Sequence, residues 1–197
     1  MPSFRYALLL ILVSVLIPAR ACAQKSDTTF PSDEEIKLVL TQTERAVGQY
    51  KLLLDMEEKA FGKEGVEAVA KDREVVRGLE AGIVGFRKNP QAFNGPLGFS
   101  FFEWIDDASR NAALTAQASA ALATVALIDG DKDKMQLHLG LSKDFANISG
   151  VFYTVSENAG ALYTRYVQGI EQAAELGVKT ATECSDILKK SKAKPQQ

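Results

Sequence analysis

Histidine, cysteine and tryptophan are nearly missing: the 197 residues hold one histidine, two cysteines and one tryptophan. With a single histidine, any catalytic triad or histidine-rich metal site must be built on His138. No Glu-x-x-His pair exists for a di-iron bundle. No His-Glu-x-x-His, Gly-x-Ser-x-Gly, Gly-x-Gly-x-x-Gly, P-loop or Cys-x-x-Cys-His motif occurs. Haem is excluded on ligand geometry. Met135 and His138 lie three apart on one helix and cannot bind opposite sides of one iron, and Met56 falls off its helix's apolar stripe. No cofactor is therefore expected. Prolines number only six, and the clusters of β-branched and aromatic residues that mark an all-β chain are absent. A net charge of −2 offers no basic surface for nucleic acid.

What is present begins at the N-terminus. MPSFRY carries one base, Arg5, and no acid. An apolar run follows from Ala7 to Ile17, broken only by Ser14, and Pro18 then precedes the small-residue stretch ARACAQ. That is the layout of a secretory signal peptide, and the run falls short of the ~20 apolar residues of a membrane span. Ala21-Cys22-Ala23 places cleavage before Gln24. Cleavage after Ala21 would instead expose Cys22 for lipidation, but Ala19 and Arg20 are poor residues for a lipoprotein signal. The expected organisation is a signal peptide (1–23), a flexible tether (24–31), a helical domain (32–191) and a basic tail (192–197). Removal of Arg5 and Arg20 leaves 21 basic residues against 25 acidic, a net charge of −4. Cys184 is then the sole cysteine, so no intramolecular disulfide can form. It is read as a half-buried helix residue.

Apolar periodicity predicts helices throughout. Ser32 and Glu35 form a capping box. Ile36, Leu40, Thr43, Val47, Tyr50 and Leu54 then step by four and three, Glu57 interrupts, and Phe61 resumes. Gly62 and Gly65 break this helix. A second is expected from about Lys63 to Lys88, with Val69, Val76, Leu79, Ile83 and Phe86 on its stripe. Its glycines at 78, 82 and 85 are read as places where another helix backbone comes close. A loop over 89–99 leads to a third helix, capped by Ser100 and Glu103. From Ala112 to Ile128 this helix has no charge in seventeen residues, which predicts a central helix surrounded by others. The last segment carries a stripe from His138 through Leu141, Phe145, Ile148, Phe152, Val155, Ala159 and Leu162 to Tyr166. Weak helix formers at Gly150, Ser156, Asn158 and Gly160 predict a kink or break between Ser149 and Gly160, within a segment spanning 132–176. Gly177 should end it, and TATE from Thr180 should cap a short final helix. The helix–turn–helix at Gly130 resembles one tetratricopeptide hairpin, but that repeat of about 34 residues does not recur.

Three features could carry chemistry. DGDKD places Asp129, Asp131 and Asp133 at positions 1, 3 and 5 of a calcium loop. Position 6, where glycine is required, is Lys134, and position 12, where a bidentate acid is required, is Gly140. The stretch is therefore read as a turn, with Gly130 ending one helix and Asp131 capping the next. His138 lies on the apolar stripe and is read as a packed histidine with a satisfied hydrogen bond. No metal is assigned to Asp129, Asp131, Asp133 or His138. Phe93, Phe99, Phe102 and Trp104 sit in an aromatic cluster that is either a plug or a contact surface.

These readings predict an all-α protein, an up-and-down bundle of four long helices plus a short C-terminal one, exported to the periplasm or secreted. No catalytic role is assigned. The expected function is contact with another protein or with a second copy of itself. The alternative is to carry a small apolar ligand between helices beside the 89–104 aromatics. Mass spectrometry of the processed protein is expected to find Gln24 at the N-terminus. A species beginning at a lipidated Cys22 would contradict that.

Overall fold

The computed structural model describes residues 30–192. The signal peptide, residues 24–29 of the tether and residues 193–197 of the tail lie outside the described residues. Among the described residues there are helices and turns and no strand. Five α-helices follow in order: α1 (Asp33–Phe61), α2 (Lys63–Ala68), α3 (Ala70–Lys88), α4 (Pro96–Ile128) and α5 (Lys132–Lys192), with a 3₁₀ turn at Pro90–Phe93. Each long helix has two long neighbours: α1 lies beside α3 and α5, and α4 beside α3 and α5. Chain direction alternates around this ring, as in an up-and-down bundle.

α1 begins with the expected capping box. The Ser32 hydroxyl accepts from the Glu35 amide, and Glu35 Oε2 accepts from the Ser32 amide at 2.9 Å. The same carboxylate accepts from Arg165 of α5 at 2.7 Å, which ties the start of α1 to its neighbour. Arg165, followed by the Ser32 contacts, holds the Glu35 carboxyl down at about 2. Gly62, with φ +59, ends α1. The six-residue α2 then folds back so closely that a Cβ on Gly65 would lie 2.6 Å from the Glu57 carbonyl oxygen. A turn at Val69 separates α2 from α3, so the helix expected from Lys63 to Lys88 is divided.

α4 starts at Pro96, one turn before the expected cap at Ser100. Proline in the first turn has no amide to satisfy and a φ already suited to a helix. The turn joining α4 to α5 is a Schellman motif. The Asp131 amide reaches the Ala126 carbonyl at 2.9 Å, the Gly130 amide reaches Leu127, and Gly130 has φ +73. Asp131 then caps α5 through the Lys134 amide at 3.0 Å.

α5 departs furthest from expectation. It is one helix of 61 residues, roughly 90 Å long. The expected break at 149–160 is absent because polar and small residues there serve the neighbouring helices. Ser149 bonds α4, Asn158 bonds Gln42 of α1, and Gly160 lies under the Phe102 ring. Nor does α5 end at Gly177. Thr180 and Thr182 bond back to the Leu176 and Val178 carbonyls instead of capping a new helix. Among the described residues the short α-helix is thus α2, not a C-terminal element.

The core is built by the stripes read from the sequence. Ile36, Leu40, Tyr50, Leu54, Leu79, Ile105, Phe145 and Phe152 are all fully buried. The α3 glycines meet aromatic rings, not a helix backbone: a Cβ at Gly78 would lie 2.4 Å from Trp104, and one at Gly82 would lie 2.4 Å from Phe101. Gly85 faces open space. Alanine normally favours a helix over glycine by about 1 kcal/mol. Gly85→Ala is therefore expected to stabilise the protein by roughly 0.5–1 kcal/mol in urea unfolding. Gly82→Ala should instead destabilise it, because Phe101 is buried and cannot yield.

Candidate interaction surface

The aromatic end is closed mostly by its own rings. Phe86, Phe93 and Phe101 stack edge to face, with centroids 5.3–6.2 Å apart. Phe93 is 1% exposed and presents no surface to a partner. Phe102 is half-buried and lies over Gly160. Phe99, 38% exposed, packs against Phe102 and Tyr163. Trp104, 40% exposed, is seated in the notch at Gly78. The four aromatics singled out in the sequence are thus divided between core and rim.

At the opposite end, among the described residues, no three histidine, cysteine, aspartate or glutamate side chains converge as a metal site would need. Asp131 is engaged as a helix cap and pairs with Lys134. Asp129 and Asp133 are exposed on either side of it. His138 is buried and stacks flat on Phe61, with ring centroids 4.9 Å apart and planes 6° from parallel. Its Nδ1 has no hydrogen-bond partner, contrary to the satisfied histidine expected from the sequence. Burial, aided by Lys134, lowers its pKa. Cys184, expected to be half-buried, is exposed, because α5 has left the bundle by then and residues 175–186 are all solvent-facing.

A pair of buried carboxylates emerges between α1 and α3. Glu57 and Asp72 both occupy stripe positions, three after Leu54 and seven before Leu79, and both are buried. Asp72 accepts a 2.6 Å hydrogen bond from the Tyr50 hydroxyl. Glu57 Oε2 has no partner. Burial raises both pKa values, and Asp72 adds repulsion on Glu57. Burial also pushes the Tyr50 phenol up, with Asp72 adding to it. Tyr50 and the Asn111 amide oppose the shift on Asp72, although Asn111 Nδ2 makes no hydrogen bond of ordinary geometry. Sequence reading registered Glu57 as an interruption and overlooked Asp72. The signal available was its place seven residues before Leu79.

The largest departure is on α4. Asp72, two residues into α3, lies beside Asn111, so α3 flanks α4 only up to that level. Beyond it, among the described residues, the uncharged stretch 112–128 packs chiefly on α5. Ala112, Ala116, Ser119, Ala123 and Ala126 are buried against it. Two residues further on from each, on the opposite side of the helix, run Leu114, Ala118, Ala121, Val125 and Ile128. All five are exposed, with Leu114 at 62%, Val125 at 53% and Ile128 at 79%. Their steps of four, three, four and three are those of a helix-packing seam. Leu122 widens the apolar face. The expected central helix is therefore covered on one side only.

No family model matches the chain, and neither a curated protein nor a solved structure matches it.

The carboxylate pair makes stability depend on pH. In the unfolded chain both groups ionise near pH 4. In the folded protein their pKa values are raised, so between those limits the native state binds more protons than the unfolded state. Stability should therefore fall as pH rises from about 4 through the raised values. Glu57→Gln is expected to flatten that fall and to stabilise the protein at pH 8 by about 1 kcal/mol in urea unfolding. A flat wild-type profile would count against buried protonated carboxyls.

Proposed function

We propose that this is an exported, non-enzymatic helical-bundle protein that acts through protein–protein contacts, with the outer face of α4 as its contact surface. One observation carries the reading: the stripe from Leu114 to Ile128 has the spacing of a buried seam, yet among the described residues nothing covers it. Export rests on the N-terminal pattern of Arg5, the apolar run and Ala21-Cys22-Ala23. The working surface then lies in the periplasm or outside the cell. The rings at 86–104 fill the space between their own helices, which weighs against an apolar ligand carried there.

The reading is tested on protein isolated from its own host. In native mass spectrometry the wild type is expected in a complex, and Leu114→Glu with Ile128→Glu is expected to release it as a single chain. Because both positions are exposed, the two substitutions together should shift unfolding stability by less than about 1 kcal/mol. A wild type that is a single chain at every concentration, with nothing bound, would remove the reading.

A further inference from the structure

We infer that a second copy of this chain covers the outer face of α4, the two helices packing antiparallel about a twofold axis. This rests on the contact reading above and names its partner.

The side-chain sizes carry the argument. When two copies of the stripe run antiparallel with the axis level with Ala123, Ala118 meets Ile128 of the second copy and Ala121 meets its Val125. The twofold repeats both pairs, giving four successive layers of one methyl and one branched side chain. Such layers hold two helices at an even, short spacing. A parallel in-register pair would instead set Ala118 on Ala118 and Ile128 on Ile128, alternating gaps with bulges. The surface is therefore complementary to itself under the symmetry that closes a dimer.

Charge and area agree with a like partner. Residues 112–128 carry no charge, and the flanks Thr115, Gln117, Leu122 and Thr124 leave nothing for a charged partner to pair with. The stripe, its flanking leucine and their mates amount to on the order of 1,000 Å² of buried surface, the lower limit for specific association. In the dimer the side of α4 turned away from α5 is covered by α4 of the second copy, so both sides of the uncharged stretch are packed.

A lipid bilayer fits less well. By length and composition α4 could cross a membrane. It is, however, one arm of a hairpin whose other arm brings Lys132, Asp133, Lys134, Lys143 and Asp144. Those charges would have to follow it into hydrocarbon.

The test uses the full chain as cells process it, in sedimentation equilibrium up to about 100 µM, where a weak interface of this size is populated. The wild type is expected at twice the chain mass. Ala121→Lys and Val125→Glu each bury a charge opposite an apolar side chain, and each should raise the dissociation constant more than about tenfold. The double variant, Ala121→Lys with Val125→Glu, sets the new base of one copy against the new acid of the other in both central layers and should regain the dimer. A parallel pair would set like charges together and would not be rescued. Far-UV circular dichroism, and the unfolding midpoint measured well below the wild-type dissociation constant, should match wild type in all three. A wild type that stays at single-chain mass, or single variants that dimerise as tightly as wild type, overturns the inference. If a different protein held on α4 is lost in Leu114→Glu with Ile128→Glu while the chain never self-associates, the contact reading stands and the second copy falls. Flotation with phosphatidylcholine vesicles that is lost in Val125→Glu would assign the face to lipid instead.

Discussion

The close approach of α4 and α5 governs the rest of the molecule. The Ser109 hydroxyl donates to the Ser149 carbonyl at 3.0 Å, and the Ser149 hydroxyl donates to the Ser109 carbonyl at 2.9 Å. Each helix thus reaches the other's backbone. Only small side chains permit that distance, and α4 supplies them at Ala108, Ser109, Ala112, Ala116, Ser119, Ala123 and Ala126. The pair forms a long two-helix spine, with α1 and α3 laid against its lower half. Where α3 stops beside Asn111, the spine continues without it. The bare face of α4 continues the solvent-facing side that carries Glu103, Asp107 and Arg110 lower on the helix, but beyond Asn111 that side is apolar.

The lower half is closed by larger groups. Tyr50 meets Phe145 and Phe152 edge to face, and Phe101 and Trp104 occupy notches left by glycine on α3. Between α1 and α3 the apolar stripes are each interrupted once by an acid, and the two interruptions, Glu57 and Asp72, occur near one another. A carboxyl group without a partner costs about 1–3 kcal/mol where it is buried. The core carries this cost beside an otherwise continuous apolar seam. Ion pairs on the surface over this region, Arg73 with Asp55 and Glu58 and Lys51 with Glu80, are partly exposed and contribute little by comparison.

Much of this was legible in the sequence. The stripes on α1, α3 and α5 name the core residues correctly, because a repeat of three and four is imposed by helix geometry wherever a neighbour is present. The Ser32 box and the Gly130 turn were legible for a similar reason, since each is satisfied within a few residues of chain. The misreadings concern competition between local and distant partners. Ser100 has a capping pattern, but Pro96 starts the helix earlier. Thr180 has one too, but its hydroxyl finds the Leu176 carbonyl. Asn158 and Gly160 weaken a lone helix, but in this bundle they touch α1 and α4. His138 was placed on the right face, and its stack on Phe61 depends on where α1 ends.

The sequence by itself determined that the chain is helical, that turns fall at Gly62 and Gly130 and which side chains line the core, because these follow from the spacing of neighbours along one helix. Only the tertiary structure decided which stretches have company. An uncharged helix such as 112–128 has the same periodicity whether it is surrounded or half bare. How many helices stand beside it depends on how far α1 and α3 extend, and that is set by a turn at Gly62 and a fold-back at Gly65, some fifty residues away in the chain. On the stretch 112–128, Leu114, Val125 and Ile128 face solvent.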